Sequence, residues 1–246
     1  MFKWLRDIHR SKVRAQPFRH DAILEKNVPY VAKLAPEERA ELKGHILVFL
    51  DEKNFEGAGG LEMTDEIRVT IAAQACLLLL HRDTDYYPGL LSIIVYPSTY
   101  VAKRHEGLLE KDHALLGESH AFDRVVVAWD AAKQGAKNFH DAHNVVLHEF
   151  AHQLDYEDGL YDGTPQLPNR TAIRTWAKVF SAEFKELSEH GDSVLDSYGA
   201  ENSAEFFAVA TEAFFEKPVQ LRQKHPELYA QLVSYFKQDP AERLTR

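Results

Sequence analysis

Two histidines four residues apart with a glutamate between them, His148-Glu149-Phe150-Ala151-His152, constrain this 246-residue chain more than any other feature. On an α-helix a four-residue step turns about 40° around the axis, so His148 and His152 share one face and both rings can reach one ion. Glu149, one step along, stands beside an open coordination position as a general base. The pattern therefore predicts water activated by zinc. Thirteen histidines in the chain make a chance match a real risk, so the setting has to carry weight. Val145, Val146 and Leu147 lead into the motif, and Phe150, Ala151 and Leu154 continue it at helical spacing. That periodicity predicts a mostly buried helix from Asn138 through Asp155. Buried histidine and glutamate are costly to desolvate unless a metal or hydrogen-bond partners compensate them. The competing reading is an amphipathic surface helix with solvent-facing histidines.

A hydrolytic zinc site takes three protein ligands and leaves the fourth position to water. A third ligand six residues past His152, after a glycine turn, points to Asp158, but Asp155 occupies the turn position where glycine is needed. The other solution is a carboxylate from a later helix, and Glu205 in Tyr198-Gly199-Ala200-Glu201-Asn202-Ser203-Ala204-Glu205 is the preferred one. Its competing role is the N3 partner in a capping box begun by Asn202. Beyond it, Phe207, Ala210 and Phe214 form one apolar stripe, while Glu201, Glu205 and Glu212 align on another face. Like charges there repel, and a dication or histidine N–H groups turn that repulsion into attraction. Glu205 then binds the metal, Glu212 orients a ligand histidine, and Glu201 reads equally well as solvated.

Taken together, His148-Glu149-Phe150-Ala151-His152-Gln153-Leu154-Asp155, Tyr198-Gly199 and Ala204-Glu205-Phe206-Phe207-Ala208-Val209 resemble the Mlc titration factor A family of bacterial zinc metallopeptidases. The resemblance extends to Met1-Phe2-Lys3-Trp4 and to Gln238-Asp239-Pro240-Ala241-Glu242-Arg243-Leu244, covering essentially the whole chain. The Tyr-Gly and Glu-Phe-Phe-Ala spacing is also similar to the catalytic domain of anthrax lethal factor. In both, the glutamate matching Glu205 is the third zinc ligand, and the tyrosine matching Tyr198 sits by the zinc facing the scissile carbonyl. The resemblance implies aminopeptidase-like hydrolysis of short peptides. It also implies a transcriptional repressor as partner, because the bacterial relatives bind the glucose repressor Mlc, and hence a link to the regulation of glucose uptake.

Composition fits an ordinary globular enzyme, 45% hydrophobic and 27% charged. A net charge of −9 argues against direct nucleic-acid binding, which needs a basic face. The exception is local: Lys3, Arg6, Arg10, Lys12, Arg14 and Arg19 against Asp7, with Trp4, Leu5 and Ile8 between them. That segment reads either as a helix docked on an acidic body or as a surface for membrane or partner. The single cysteine, Cys76, cannot form an internal disulfide and reads as a buried small hydrophobe. Its apolar run, Ala72 to Leu80, is too short to span a bilayer, and no secretory h-region follows Met1. The cytoplasm is the expected location.

Pro36 with Glu37 and Glu38 opens a helix to about Lys53, and Thr64-Asp65-Glu66 opens another to His81. Gly57-Ala58-Gly59-Gly60 lacks the Lys-Ser/Thr sequel of a phosphate loop and is a turn. Ser92 to Tyr96 and Arg124 to Trp129 are β-branched runs that read as strands, the second able to pair with an extended peptide if it lies at a sheet edge. Asp155 to Arg170 is a loop that rims the site, followed by helices from about Thr171 to His190, Ser203 to Lys217 and Pro226 to Lys237.

The expectation is an α+β, zincin-like metallopeptidase: a mixed sheet packed on helices in one domain over 1–246, with an N-terminal lobe to about 135, a helical C-terminal lobe from about 136, and a cleft between. Zn²⁺ is held by His148, His152 and Glu205, the gluzincin arrangement. Glu149 is the general base, a peptide the substrate, and Tyr198 the group that resemblance assigns to the oxyanion. Two rivals stand beside it. One is an interaction module that sequesters a repressor, with peptidase activity secondary. The other is a structural zinc, for which a closed shell rich in cysteine is needed.

Overall fold

Helices dominate the residues that the structure, a computed structural model, describes: 3–98 and 123–245. Met1 and Phe2 of the N-terminal resemblance lie outside them. The chain forms two compact units, one of Met1–Leu80 with Leu90–Lys137, the other of His81–Gly89 with Asn138–Arg246.

In the first unit, α1 (Lys3–Arg14) and α2 (Asp21–Asn27) precede α3 (Pro36–Glu52). Proline at the start of α3 loses no helical hydrogen bond, and the Glu38 carboxylate accepts the Ala35 N–H at 2.8 Å. Helix α4 (Asp65–Leu77) begins where Thr64 accepts the Ile67 N–H, and it is buried from Val69 to its end, Cys76 included. Burial pushes the Cys76 thiol well above its ordinary pKa, so it is an inert hydrophobe.

Strands β1 (Asn54–Gly57), β2 (Ser92–Tyr96) and β3 (Arg124–Ala128) form a sheet in the order β1-β2-β3. Phe55, Ile93 and Val125 stand in register, and all three are buried. The mixed sheet expected from the sequence is corrected here: among the described residues both pairings are parallel. The physical reason is connectivity, since β1 reaches β2 through α4, the crossover a parallel pair needs. Strand β1 is short and polar enough to carry no sequence signal, and β3 lies at one edge of the described sheet. Trp129 belongs to α5 (Trp129–Lys137), not to the strand. Gly59 and Gly60 turn with positive φ, as the glycine run suggests.

In the second unit, the helix expected over Asn138 to Asp155 is shorter. Ala142 takes a left-handed φ of 57°, and the Asn144 side chain accepts the N–H groups of Val146 and Leu147, so α6 spans Val145–Asp155. It runs into a 3₁₀ turn, Tyr156–Asp158, closed by Gly159. Then follow α7 (Arg170–His190), a second 3₁₀ turn at Ser197–Ala200, α8 (Ser203–Glu216), α9 (Pro218–Lys224), α10 (Pro226–Phe236) and α11 (Pro240–Thr245). Helix α8 is buried on all sides: Phe206 and Phe207 pack against Phe180 and Trp176, and Phe214 and Phe215 against Phe236. Such a helix cannot shift without dismantling aromatic contacts. No described helix is long and apolar enough to cross a membrane.

Candidate metal centre

Asn144, His148 and His152 lie at four-residue intervals along α6 and its cap, so they line one face. Glu205, Glu212 and Glu216 line one face of α8 in the same way, at spacings of seven and eleven residues from Glu205. The two rows meet in opposite order. Glu205 reaches His148 and His152, Glu212 reaches His148 and Asn144, and Glu216 reaches Asn144.

At the first junction His148 Nε2 lies 2.9 Å from Glu205 Oε2 and 3.2 Å from His152 Nε2, and His152 Nε2 lies 3.4 Å from the same carboxylate oxygen. One donor atom from each of the three residues falls within 4.8 Å of the others. Ligand atoms about 2.0–2.1 Å from a tetrahedral zinc stand roughly 3.3 Å apart, so this donor set and its separations suit that ion. Hydrogen bonding alone suits it less, since one His148 Nε2 proton cannot serve both Glu205 and His152. Burial works against charge on His148, but Glu205 and Glu212 outweigh it and push its pKa up to about 10. Burial likewise opposes charge on Glu205, yet hydrogen bonds from the two histidines hold it at about 2.

The other ring nitrogens are also engaged. His148 Nδ1 lies 2.8 Å from Glu212 Oε1, while Glu212 Oε2 accepts the Asn144 N–H at 2.5 Å. His152 Nδ1 lies 3.1 Å from the hydroxyl of Tyr161. Gly163, at φ 78°, donates its N–H to Asp155 and accepts from the Trp176 indole, each at 2.9 Å, which ties the loop after α6 to α6 and α7.

The capping role weighed for Glu205 exists only in half. Asn202 accepts the Glu205 N–H at 3.0 Å, but the carboxylate of Glu205 turns to the histidines. Asp158 is exposed and accepts the Leu160 N–H at 3.0 Å; the cluster of donor atoms does not include it. Glu149 is half-buried on α6, and its charge acts on His148, Tyr161 and Tyr198. Tyr198, 47% exposed, has its ring centre 5.9 Å from that of His148. Burial, followed by Glu205, Glu201 and Glu149, raises its pKa, so the phenol keeps its proton. Glu201 is exposed. Asn144, Glu216 and Tyr161 are absent from the sequence reading. Glu216 carried a usable signal, since it follows Glu205 by the same eleven residues that separate Glu201 from Glu212.

Residues 2–237 match the family described as glucose-regulated metallo-peptidase M90. The chain belongs to that family. An uncharacterized protein of Synechocystis is 38% identical over 239 residues, 92% of this chain and 86% of its own length. Mlc titration factor A of Klebsiella pneumoniae is 29% identical over 231 residues, covering 88% of this chain and 85% of its own. Mlc titration factor A of Yersinia pestis is 26% identical over 260 residues, 100% of this chain and 93% of its own. As an M90 metallo-peptidase the chain has use for a metal, and His148, His152 and Glu205 form a group able to hold one.

Proposed function

We propose that this M90 member is a zinc peptidase of the zincin type, with His148, His152 and Glu205 as metal ligands, Glu149 as general base and Tyr198 as oxyanion donor. The observation that carries the reading is the convergence of those three donor atoms within 4.8 Å of one another, two of them from the histidines that flank Glu149 on α6. Zinc bound there supplies Lewis acidity, which acidifies water and polarises a carbonyl oxygen. Glu149 takes a proton from the attacking water and passes it to the leaving amine. Tyr198, protonated and exposed, donates its O–H to the carbonyl oxygen as charge develops there. With a metal bound, Glu212 would hold Nδ1–H of His148 and the ion would take the place of the Nε2 proton.

The test is metal content of the purified protein together with cleavage of a mixed peptide library by the wild type and Glu149→Gln. One zinc per chain in both, with hydrolysis in the wild type alone, is the expected outcome. Zinc retained at full stoichiometry by a His148→Ala/His152→Ala double variant removes the reading. Cleavage from the peptide N-terminus would carry the aminopeptidase assignment. A cytoplasmic location accords with the one buried thiol.

The name of the relatives at 26–29% identity favours a second role, binding of an Mlc-like transcriptional repressor. Repressor binding that persists in Glu149→Gln would make that role independent of peptidase chemistry.

A further inference from the structure

Helix α1 turns one face to α3 and leaves the other bare. Arg10, 5% exposed, is gripped by the Glu52 carboxylate through Nε at 2.6 Å and one Nη at 2.8 Å. Val13 is buried three residues on, His9 Nε2 lies 2.6 Å from Asp51, and the stem of Arg14 packs over Gly44. Each residue turns the helix about 100°, which sets Trp4, Leu5, Ile8 and Lys12 on the side opposite Arg10 and Val13. Trp4 is 60% exposed, Ile8 46% and Leu5 40%. Lys12 is exposed among them, and Arg14 and Arg19 are exposed at and beyond the end of the helix.

We propose that this outward face of α1 binds the surface of an anionic lipid bilayer. A helix with a narrow apolar strip that includes tryptophan, with several cations and low overall hydrophobicity, lies in the plane of the headgroups instead of crossing them. Twelve residues reach only about 18 Å, which also excludes a span. Charge selects the lipid. The first nineteen residues hold six basic side chains and one acidic one, in a chain whose net charge is −9. Positive charge is therefore concentrated in this segment of an otherwise acidic chain. The docked face explains how the helix presents the strip: with Arg10 neutralised by Glu52, α1 is held folded on α3 before lipid is met. Three partly exposed apolar side chains are too few to hold the protein on a neutral bilayer, so binding requires the cations. Each basic residue near an anionic surface strengthens binding about fivefold.

The experiment is sedimentation of the full chain with phosphatidylcholine vesicles, with and without phosphatidylglycerol, at low and high salt. The wild type is expected to sediment with anionic vesicles at low salt, to release at high salt, and to ignore neutral ones. Trp4→Ser/Leu5→Ser/Ile8→Ser is expected to weaken binding at least tenfold and Lys12→Glu by about an order of magnitude, because it reverses a charge. Neither affects zinc content or peptide cleavage in solution. No binding to anionic vesicles by the wild type, equal binding to neutral ones, or full binding by the triple variant overturns the proposal. So does a lipid-free dimer that the triple variant abolishes, which would assign the face to a second copy of this chain.

Discussion

Glu212 joins the two ends of its own carboxylate to one helix: Oε1 lies 2.8 Å from Nδ1 of His148 and Oε2 accepts the N–H of Asn144, the cap of α6. A carboxylate serves both because it has only acceptors. An amide does not, since one of its ends must present N–H. Facing His148, that N–H would require a lone pair on Nδ1 and would leave the proton on Nε2, where the metal belongs. Glu212→Gln is therefore expected to lower zinc affinity about 10- to 100-fold, as loss of such a partner typically does. Competition with a chelator checks it, and unchanged affinity would show that Glu212 serves the helix cap alone.

The role proposed for Tyr198 is one that separates reaction from binding. Its phenol keeps a proton because burial and the nearby charges of Glu205, Glu201 and Glu149 raise its pKa. Tyr198→Phe removes the donor and little else from a side chain that is 47% exposed. The expected loss is on the order of 10²-fold in kcat, with KM, zinc content and thermal stability near wild type. Steady-state kinetics on the best library peptide decide it. A wild-type kcat would make Tyr198 a packing residue beside His148.

The motif residues were legible in the sequence because helical spacing is a local property: four residues between histidines, or seven between Glu205 and Glu212, fix relative direction on one helix. The meeting of two rows is not local. Asn144 before Val145-Val146-Leu147 is a local N-cap signal that the longer helix, 138–155, passes over, but its hold on Glu212 and Glu216 is visible only once α8 is in place. Tyr161 was hidden for the same reason, since its hydroxyl reaches His152 from a loop whose path is set by Asp155 and Trp176 acting on Gly163. In the sheet, β2 and β3 announce themselves by β-branched runs, whereas β1 is a strand because Ile93 offers Phe55 a partner in register. Parallel pairing follows from crossovers, which no strand encodes in its own residues.

Glu216 gives the fold a pH dependence. Its Oε1 accepts from Asn144 at 3.0 Å, and the buried carboxyl also lies against the Ala142 backbone, near the charges of Asp141 and Glu212. Burial is the main cause that pushes its pKa from 4.5 to about 8. The folded chain then holds a proton that the unfolded chain has lost, so stability falls as pH rises from about 4.5 to about 8 and levels off above. Glu216→Gln removes the ionisation while keeping an acceptor for Asn144. Denaturant midpoints of the metal-free protein between pH 5 and 8 are expected to fall less steeply in the variant, a difference of on the order of a few kcal/mol across the range. Parallel curves would mean that Glu216 ionises as readily in the fold as in the unfolded chain.

Gly163 is where the loop after α6 meets the start of α8. Its φ of 78° is strained for any residue with a Cβ, and a Cβ built there would run into the carbonyl of Ser203, the first residue of α8. A backbone carbonyl cannot swing aside as a side chain can. Gly163→Ala must therefore either pull the loop off Asp155 and Trp176 or displace the end of α8 that carries Glu205. Both routes cost stability, together about 2–4 kcal/mol from strained backbone and lost hydrogen bonds. Only the second moves Glu205, the proposed metal ligand. Thermal unfolding and zinc titration on the same variant distinguish them: a lower midpoint with wild-type zinc affinity places the yield in the loop, and a fall in both places it in α8. Since Phe206 and Phe207 lock α8 against Phe180 and Trp176, the loop is expected to give way, leaving zinc affinity within a few-fold of wild type.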